Sequence, residues 1–169
     1  MRHALLEAEK GLARGEVPIG AVLSGPDGRI VAKSHNQPIS LHDPTAHAEI
    51  VALRAGGAFF QNYRMNDTTL VVTLEPCLMC MGAALNARIA RLVFGAFDPK
   101  SGAAGSLYNL AEDNRLNHSI EVVSGIMEKE CRELMQDFFH LRRGKKSRES
   151  SLKGPGFGLP PEGAYKASA

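Results

Sequence analysis

The chain has 169 residues, of which 44% are hydrophobic and 22% are charged, and its formal net charge is +2. This length and composition predict one globular domain with a sizeable core, and they exclude a small fold that depends on disulfides. No apolar run approaches the roughly 20 residues of a membrane span, and the N-terminus lacks the apolar core of a secretory signal. We therefore expect no membrane partner and a cytoplasmic location.

The first part of the chain predicts a helix, a β-hairpin and a second helix. Residues 2–14 have the apolar periodicity of an amphipathic helix. Residues 17–24 and 29–36 are β-like runs on either side of a Gly-Pro-Asp-Gly turn, which predicts a hairpin. A polar loop follows, and the helix that begins near His47 is expected to end at Gly56-Gly57.

The next part alternates strands with helices. Residues 68–74, 89–97 and 119–125 are predicted strands. Pro76 is expected in the first turn of the helix predicted over 77–87. Strand–helix–strand order implies right-handed crossovers and parallel central strands, so the predicted fold class is α/β.

The C-terminal part has a different composition from the rest of the chain. The last predicted helix covers about 126–143, and Ser, Gly, Pro and Lys dominate after it. Residues 140–169 carry a charge of +5, against −3 for residues 1–139. We therefore divide the chain into a domain over 1–143 and a basic, Gly/Pro/Ser-rich tail over 144–169 that we expect to be flexible. The positive charge suits phosphate contacts or, equally, a solvated tail.

Two short segments carry most of the chemistry, His47-Ala48-Glu49 and Pro76-Cys77-Leu78-Met79-Cys80. His47, Cys77 and Cys80 supply three ligands for a tetrahedral Zn²⁺ and leave a fourth position open for water, as catalytic rather than structural zinc sites do. A zinc ion there would make a hydroxide nucleophile near pH 7. Glu49 would remain as a free carboxylate that can move protons.

The Cys-x-x-Cys pair alone also suits a redox pair or half of a structural zinc knuckle. A redox pair does not explain the His-Ala-Glu segment that begins 30 residues upstream of Cys77. A knuckle needs a fourth ligand, and the remaining histidines and Cys131 have no ligand-like spacing to His47 or Cys77. We expect Cys131 to be a core residue. We expect Glu75, just before Pro76, to accept backbone N–H bonds at the start of the helix.

Residues 1 to about 143 resemble bacterial tRNA-specific adenosine deaminases, which belong to the zinc-dependent cytidine/deoxycytidylate deaminase superfamily. The resemblance rests on EVPIGAVL, HNQPI, HDPTAHAEI, LEPCLMCMGA, VFGAFDPKSGAAGSL, LNH and DFFHLRR. The zinc segments alone also fit guanine, cytosine and cytidine deaminases. The FGAFDPKSGAAGS, LNH and FFHLRR elements favour the tRNA enzyme.

The resemblance implies a three-layer α/β/α cytidine-deaminase-like fold, with a central mixed five-stranded sheet flanked by helices. It implies that His47, Cys77 and Cys80 bind one Zn²⁺ per subunit and that Glu49 is the catalytic proton shuttle. The implied reaction is hydrolytic deamination of adenosine to inosine at the wobble position of an arginine tRNA. Helical periodicity alone does not bring Glu49 to the metal, because residues two apart on an ideal helix diverge by about 200°.

The resemblance also implies substrate and partner contacts. Asn36 would hydrogen-bond the flipped nucleoside, and the Ala48 backbone N–H would orient the base. Asp98 would line the path of the nucleotides that flank the target. Arg142 and Arg143 would contact the anticodon stem-loop. Family members are homodimers, so we expect a homodimer that binds tRNA and does not bind DNA.

Two other functions stay open at this point. The first is a free-base or nucleoside deaminase such as guanine deaminase, which differs in not requiring a folded anticodon arm. The basic FFHLRR segment argues for RNA, because a free base offers no phosphate to contact. The second is an RNA-binding module with a structural zinc, which would keep every activity when Glu49 is replaced by Gln.

Overall fold

A computed structural model describes the backbone of residues 1–152 and the side chains of residues 1–143. The strands are β1 (Gly20–Ser24), β2 (Ile30–His35), β3 (Thr69–Leu74), β4 (Arg91–Ala96) and β5 (Glu121–Val123). The helices are α1 (Arg2–Ala13), α2 (Pro38–Leu41), α3 (Ala48–Phe60), α4 (Leu78–Ala87) and α5 (Glu128–Leu152). Within the described backbone, no helix combines the length and apolar character that crossing a membrane requires.

The strands form one mixed sheet in the order β2-β1-β3-β4-β5. β1 is antiparallel to β2 and to β3, while β3, β4 and β5 are parallel to one another. The predicted hairpin, the parallel strands and the α/β fold class are therefore confirmed. Because two antiparallel pairings restore the direction, β2, β3 and β4 all end at the same edge of the sheet. The segments that follow these three strands meet at that edge.

Helices cover both faces of the sheet. α1 packs so closely on β1 that a Cβ at Gly20 would overlap the carbonyl oxygen of Ala4. Three residues later, Leu23 points to the opposite face, where it packs against Gly56 of α3. The main hydrophobic core lies on this α3 side, and it includes Leu53, Leu70, Val72, Met81, Ala84, Leu92 and Phe94.

Helix α3 is longer than the sequence predicts. It continues through Gly56-Gly57 to Phe60 and ends at Gln61, which adopts the left-handed conformation. Gly56 serves close packing instead of ending the helix, because a Cβ there would overlap the Leu23 side chain. The expected helix end at Gly56-Gly57 is therefore wrong.

The structure differs from the prediction in two smaller ways, just before each of the two segments that carry the predicted zinc ligands. The loop before His47, which was expected to be irregular and polar, contains the short helix α2. Pro76 precedes the N-cap residue of α4, so it lies just outside the helix and not in its first turn.

The chain divides into two units, Met1–Phe138 and Phe139–Ala169, and α5 begins in the first and ends in the second. In the first unit, Cys131 is buried and lies against Gly95 of β4, as expected for a core residue. The helix continues beyond the expected end near Arg143 to Leu152. Helix α5 therefore includes residues on both sides of the predicted boundary between the domain 1–143 and the tail 144–169. Residues 153–169 of that tail lie outside the described residues.

Candidate active site

Two helix starts converge at the edge where β2, β3 and β4 end. His47 is the N-cap residue of α3, and Cys77 is the N-cap residue of α4. Both have extended backbone torsions, and neither caps its helix with its side chain. Because each N-cap side chain is free of the usual capping role, both can point into the space between the helices. Cys80 reaches the same space from α4.

His47, Cys77 and Cys80 form the one group in the described part of the chain that could hold a metal ion. Their ligand atoms all lie within 4.8 Å of one another. The Nδ1 atom of His47 is 3.5 Å from the Cys80 sulfur and 3.7 Å from the Cys77 sulfur. Tetrahedral zinc with ordinary Zn–N and Zn–S bonds would place such atoms about 3.6 Å apart. The group therefore fits a zinc site.

The two thiols differ in acidity, and the more acidic one is suited to bind a metal. The hydrogen bond from Cys80 lowers the pKa of the Cys77 thiol to about 4. The same hydrogen bond, together with burial, raises the pKa of Cys80 above its ordinary value. The hydrogen bond with Cys77 also raises the pKa of His47. Cys77 is thus a ready thiolate, the form in which cysteine binds metals.

Glu49 lies beside this group and is only 4% exposed. Burial raises the pKa of its carboxyl, while hydrogen bonds from its own backbone and from Cys80 oppose that change. Among the side chains that the structure describes, its Oε2 is the buried polar atom without a hydrogen-bond partner. A buried carboxylate oxygen without a partner is costly unless a ligand or substrate satisfies it.

Comparisons with known proteins agree with this arrangement. Residues 1–96 match the family described as the cytidine and deoxycytidylate deaminase zinc-binding region. A tRNA-specific adenosine deaminase of Haemophilus influenzae is 50% identical over 90% of this chain and 88% of its own length. This chain belongs to the zinc-dependent cytidine and deoxycytidylate deaminase family. The predicted resemblance and the prediction of an enzyme of this family are confirmed.

Two solved structures of deaminases extend the comparison. One, from studies of A-to-I editing by tRNA:A34 deaminases, is 45% identical with a TM-score of 0.77, over 79% of this chain and 96% of that one. The other is a guanine deaminase of Bacillus subtilis, 34% identical with a TM-score of 0.56, over 62% of this chain and 67% of that one. The predicted cytidine-deaminase-like fold, a five-stranded mixed sheet flanked by helices, is confirmed.

The end of β2 holds the first residue of α3 in this deaminase. Asn36 is buried, and its Oδ1 accepts the backbone N–H of Ala48 at 2.8 Å. Ser34, two residues earlier on the same face of the strand, donates its hydroxyl to the Ala48 carbonyl at 2.6 Å. The two groups expected to contact the nucleoside, the Asn36 amide and the Ala48 N–H, are therefore hydrogen-bonded to each other. A base that takes the Ala48 N–H must replace or share that bond.

Ser34 was missed by sequence reasoning. A serine in a strand carries no local signal that its hydroxyl will meet a carbonyl 14 residues away in the chain. The only available hint was its spacing from Asn36, since residues i and i+2 of a strand face the same way.

Glu75 accepts backbone N–H bonds, as expected, but the donors lie in a different segment. It accepts hydrogen bonds from the segment 97–106 that follows β4, and not from the start of α4. The reason is the parallel pairing of β3 with β4, which brings the residues after both strands to one edge. Local sequence around Glu75 does not reveal that partner.

The three remaining predicted substrate contacts lie outside the metal group. The Asp98 carboxylate accepts the backbone N–H of Lys100 at 2.9 Å and the hydroxyl of Ser101, so it caps the turn that follows it. Arg142 and Arg143 are exposed residues of α5 in the second unit, Phe139–Ala169. The Arg143 guanidinium lies 3.5 Å from the His140 ring. The roles of these three residues stay predictions.

Proposed function

We propose that this deaminase converts adenosine to inosine at the wobble position of an arginine tRNA. The observation that carries the proposal is the His47–Cys77–Cys80 group with the buried, unpartnered Glu49 oxygen beside it. The adenosine and tRNA parts come from its relatives, because the Haemophilus influenzae protein is named for that substrate. The arginine tRNA is the finer part of the proposal and comes from the sequence resemblance.

One zinc ion per subunit would bind to His47 Nδ1 and to the sulfurs of Cys77 and Cys80. When bound, zinc with three protein ligands would lower the pKa of a water molecule toward neutrality, which is the chemistry that makes a hydroxide nucleophile available at the site. His47 and Cys77 hold their positions as N-cap residues of two helices, so rigid elements place the ligands.

Glu49 is proposed to carry the protons of the reaction. Its carboxylate takes a proton from the attacking water and gives it to N1 of the ring. A second proton then passes from the new C6 hydroxyl to the amino group, the C6–N bond breaks, and ammonia leaves. The products are inosine and ammonia, so the reaction consumes one water and needs no redox partner. The carboxyl group is buried and interacts with His47 and Cys80, so it lies beside the place where the water would be held.

The nucleoside contacts proposed for Asn36 and Ala48 involve two groups that are bonded to each other, so a base must share or replace the Ala48 N–H bond. Adenine C6 cannot be reached inside a base stack, so the target must flip into the site. Asn36 has an amide N–H₂ as well as the oxygen that holds Ala48, and the amide remains a donor for the nucleoside. Asp98, Arg142 and Arg143 are proposed to contact the RNA around the flipped base.

We include a cytoplasmic homodimer in the proposal. The apolar residues of α4 divide between two environments, because Met81, Ala84 and Ala87 are buried in the core while Leu78 is exposed. The exposed Tyr63 and the residues Ile50 and Ala83 line an apolar cavity of about 290 Å³ between α3 and α4, which a second subunit could cover. Sedimentation of the full chain would test this: a monomer at micromolar concentration would contradict it.

The test uses an anticodon stem-loop of arginine tRNA with a wobble adenosine, and measures inosine. Free guanine, adenosine and cytidine are assayed in parallel, and Glu49→Gln is the matched control because it keeps the shape of the side chain. We expect inosine on the stem-loop with the native protein and none above background with Glu49→Gln.

Each alternative function has its own signature in this assay. Ammonia from guanine or cytidine with an unchanged stem-loop would keep the zinc chemistry and overturn the RNA substrate. A Glu49→Gln protein with full activity would overturn the shuttle and favour a structural zinc. Stem-loop binding without any deamination by the native protein would favour an RNA-binding module.

A further inference from the structure

Glu75 is a buried carboxylate that the proposed chemistry does not use. The residue is 2% exposed, and both of its oxygens accept hydrogen bonds. Oε1 accepts the backbone N–H groups of Ala104 and Ser106 at 3.0 and 2.9 Å. Oε2 accepts the backbone N–H of Asp98 at 3.0 Å and the hydroxyl of Ser106. A single side chain therefore ties together both ends of the segment 97–106, which we call the β4 loop.

The β4 loop is also held against the start of α4. The N–H of Ala103 donates to the Pro76 carbonyl at 2.8 Å, and Gly102 pairs with Cys77 in an isolated antiparallel bridge. The approach is so close that a Cβ at Gly102 would overlap the Glu75 carboxyl group. Glu75 and the segment that carries the ligand Cys77 thus fix the shape of the loop together.

The residues that the β4 loop and its flanks expose suit single-stranded RNA. Phe97, the first residue of the loop, is 45% exposed, and Tyr108, two residues beyond its end, is 51% exposed. Nucleic-acid bases stack on exposed aromatic rings without regard to sequence. Asp98, the proposed neighbour of the flanking nucleotides, has its backbone N–H bonded directly to Glu75. The shape of the loop therefore decides where these groups meet an anticodon loop.

We propose that Glu75 is a positioning residue for RNA recognition, which it serves by holding the β4 loop in its binding shape. This inference rests on the proposed function, since it requires an RNA substrate. We assign Glu75 no part in the chemical step, because the hydrogen bonds to its carboxylate all come from the β4 loop and none comes from Glu49 or from a proposed ligand. A purely structural role would instead lower stability and leave the affinity for RNA unchanged.

Glu75→Gln tests the proposal with little change in size. A carboxylate accepts hydrogen bonds at both oxygens, whereas an amide presents N–H₂ at one position and would face two of the donors. We expect KM for the stem-loop to rise about tenfold, because one or more buried donors lose their acceptor. We expect kcat to change by less than about threefold and the bound zinc to stay stoichiometric.

Binding is measured separately in the Glu49→Gln background, where the stem-loop is not consumed. Kd of Glu49→Gln is compared with that of Glu49→Gln/Glu75→Gln, and we expect the same tenfold rise. Ser106→Ala removes only the hydroxyl donor and should raise Kd less than Glu75→Gln does. Glu7→Gln is the matched control, because Glu7 is a buried, hydrogen-bonded carboxylate on α1 that faces away from the α3 side. It should leave Kd unchanged.

Gly102→Ala is a second variant, which changes the β4 loop itself and leaves the Glu75 carboxylate in place. The added methyl group should displace the β4 loop and raise Kd, and this variant decides the matter if Glu75→Gln fails to fold. A folded, zinc-loaded Glu75→Gln protein with unchanged Kd would overturn the inference alone. Failure of the native protein to bind the stem-loop would overturn the proposed function, and this inference with it.

Discussion

The two helices that carry the proposed zinc ligands are held at their starts by different kinds of hydrogen bond. At α3, neutral groups at the end of β2 hold the first residue: Ser34 donates to the Ala48 carbonyl at 2.6 Å, and Asn36, which follows the strand, accepts the Ala48 N–H at 2.8 Å. At α4, the segment before the helix is hydrogen-bonded to the β4 loop. The Glu75 carboxylate, which precedes that helix, accepts backbone N–H groups near both ends of the loop.

If both proposals hold, the difference means that catalysis and RNA recognition depend on separate sets of hydrogen bonds in one small site. Ala48 lies between His47 and Glu49, so the neutral hydrogen bonds at α3 hold the residue between a proposed zinc ligand and the proposed proton shuttle. Glu75 lies two residues before Cys77, but its hydrogen bonds act on a loop that carries no ligand. Hydrogen bonds to a charged group are about twice as strong as neutral ones, which suits the anchoring of an irregular loop.

Removing a proposed zinc ligand should have the largest effect on activity. The loss should be the same whether the ligand lies at the start of α3 or at the start of α4. His47→Ala and Cys77→Ala should each lose zinc and activity together, because metal affinity depends on all three ligands. Metal content per subunit and inosine formation are measured on the same preparations. Stoichiometric zinc in either variant would contradict the ligand assignment.

Glu49→Gln should affect only the chemistry on the α3 side. General acid–base catalysis contributes about 10²- to 10⁴-fold to the rate, so we expect kcat to fall by at least about 100-fold. Zinc content and stem-loop Kd should be unchanged, because the side chain keeps its size. A loss of zinc would instead show that Glu49 is a ligand.

Ser34→Ala sharpens the comparison with Glu75→Gln. It removes the hydroxyl that bonds the Ala48 carbonyl, and we expect kcat to fall a few-fold to about tenfold because Glu49 and His47 shift slightly. Kd for the stem-loop should stay within about twofold, the reverse of the Glu75→Gln pattern. If both variants change KM and kcat in the same proportion, the two supports are not separate.

Arg142→Ala tests a contact that belongs to neither helix start. Stem-loop affinity should fall by a few-fold and kcat should not change, because phosphate contacts add affinity without acting on the reacting atoms. The slope of log Kd against log salt should decrease by about 1 if the guanidinium meets one phosphate. An unchanged affinity and slope would show that Arg142 does not contact the RNA.

Glu16→Gln tests a carboxylate at the start of a third helix, α2, and has the smallest expected effect of these variants. The quantity measured is thermal stability. Burial would raise the pKa of Glu16, but the backbone N–H groups of Ser40 and Ile39 in α2 lower it overall. A lowered pKa in the folded protein means that the ionised form stabilises the fold above the ordinary pKa of about 4.3, and that this stability is lost in acid.

We therefore expect the melting temperature of Glu16→Gln to lie a few degrees below that of the native protein at pH 7. The gap should narrow as the pH falls through the lowered pKa. Thermal denaturation between about pH 3 and 7 measures it. A gap that stays constant across this range would show that the carboxylate charge contributes nothing there.

The sequence by itself determined the class of chemistry and the main elements. One histidine, two cysteines and one glutamate in two short segments predict an open zinc site beside a free carboxylate, and the resemblance of these segments to known deaminases adds the reaction. Local periodicity and turn residues were enough for the hairpin, the five strands and the main helices, although helix ends were less certain.

Only the tertiary structure decided how these groups meet. The helical angle of about 200° does not separate Glu49 from His47, because His47 is an extended N-cap residue to which that angle does not apply. Ser34 meets Ala48, Gly56 meets Leu23, and Glu75 meets the β4 loop across 14, 33 and up to 31 residues of chain. Such partners are chosen by strand direction and helix packing, which no local pattern in the sequence encodes.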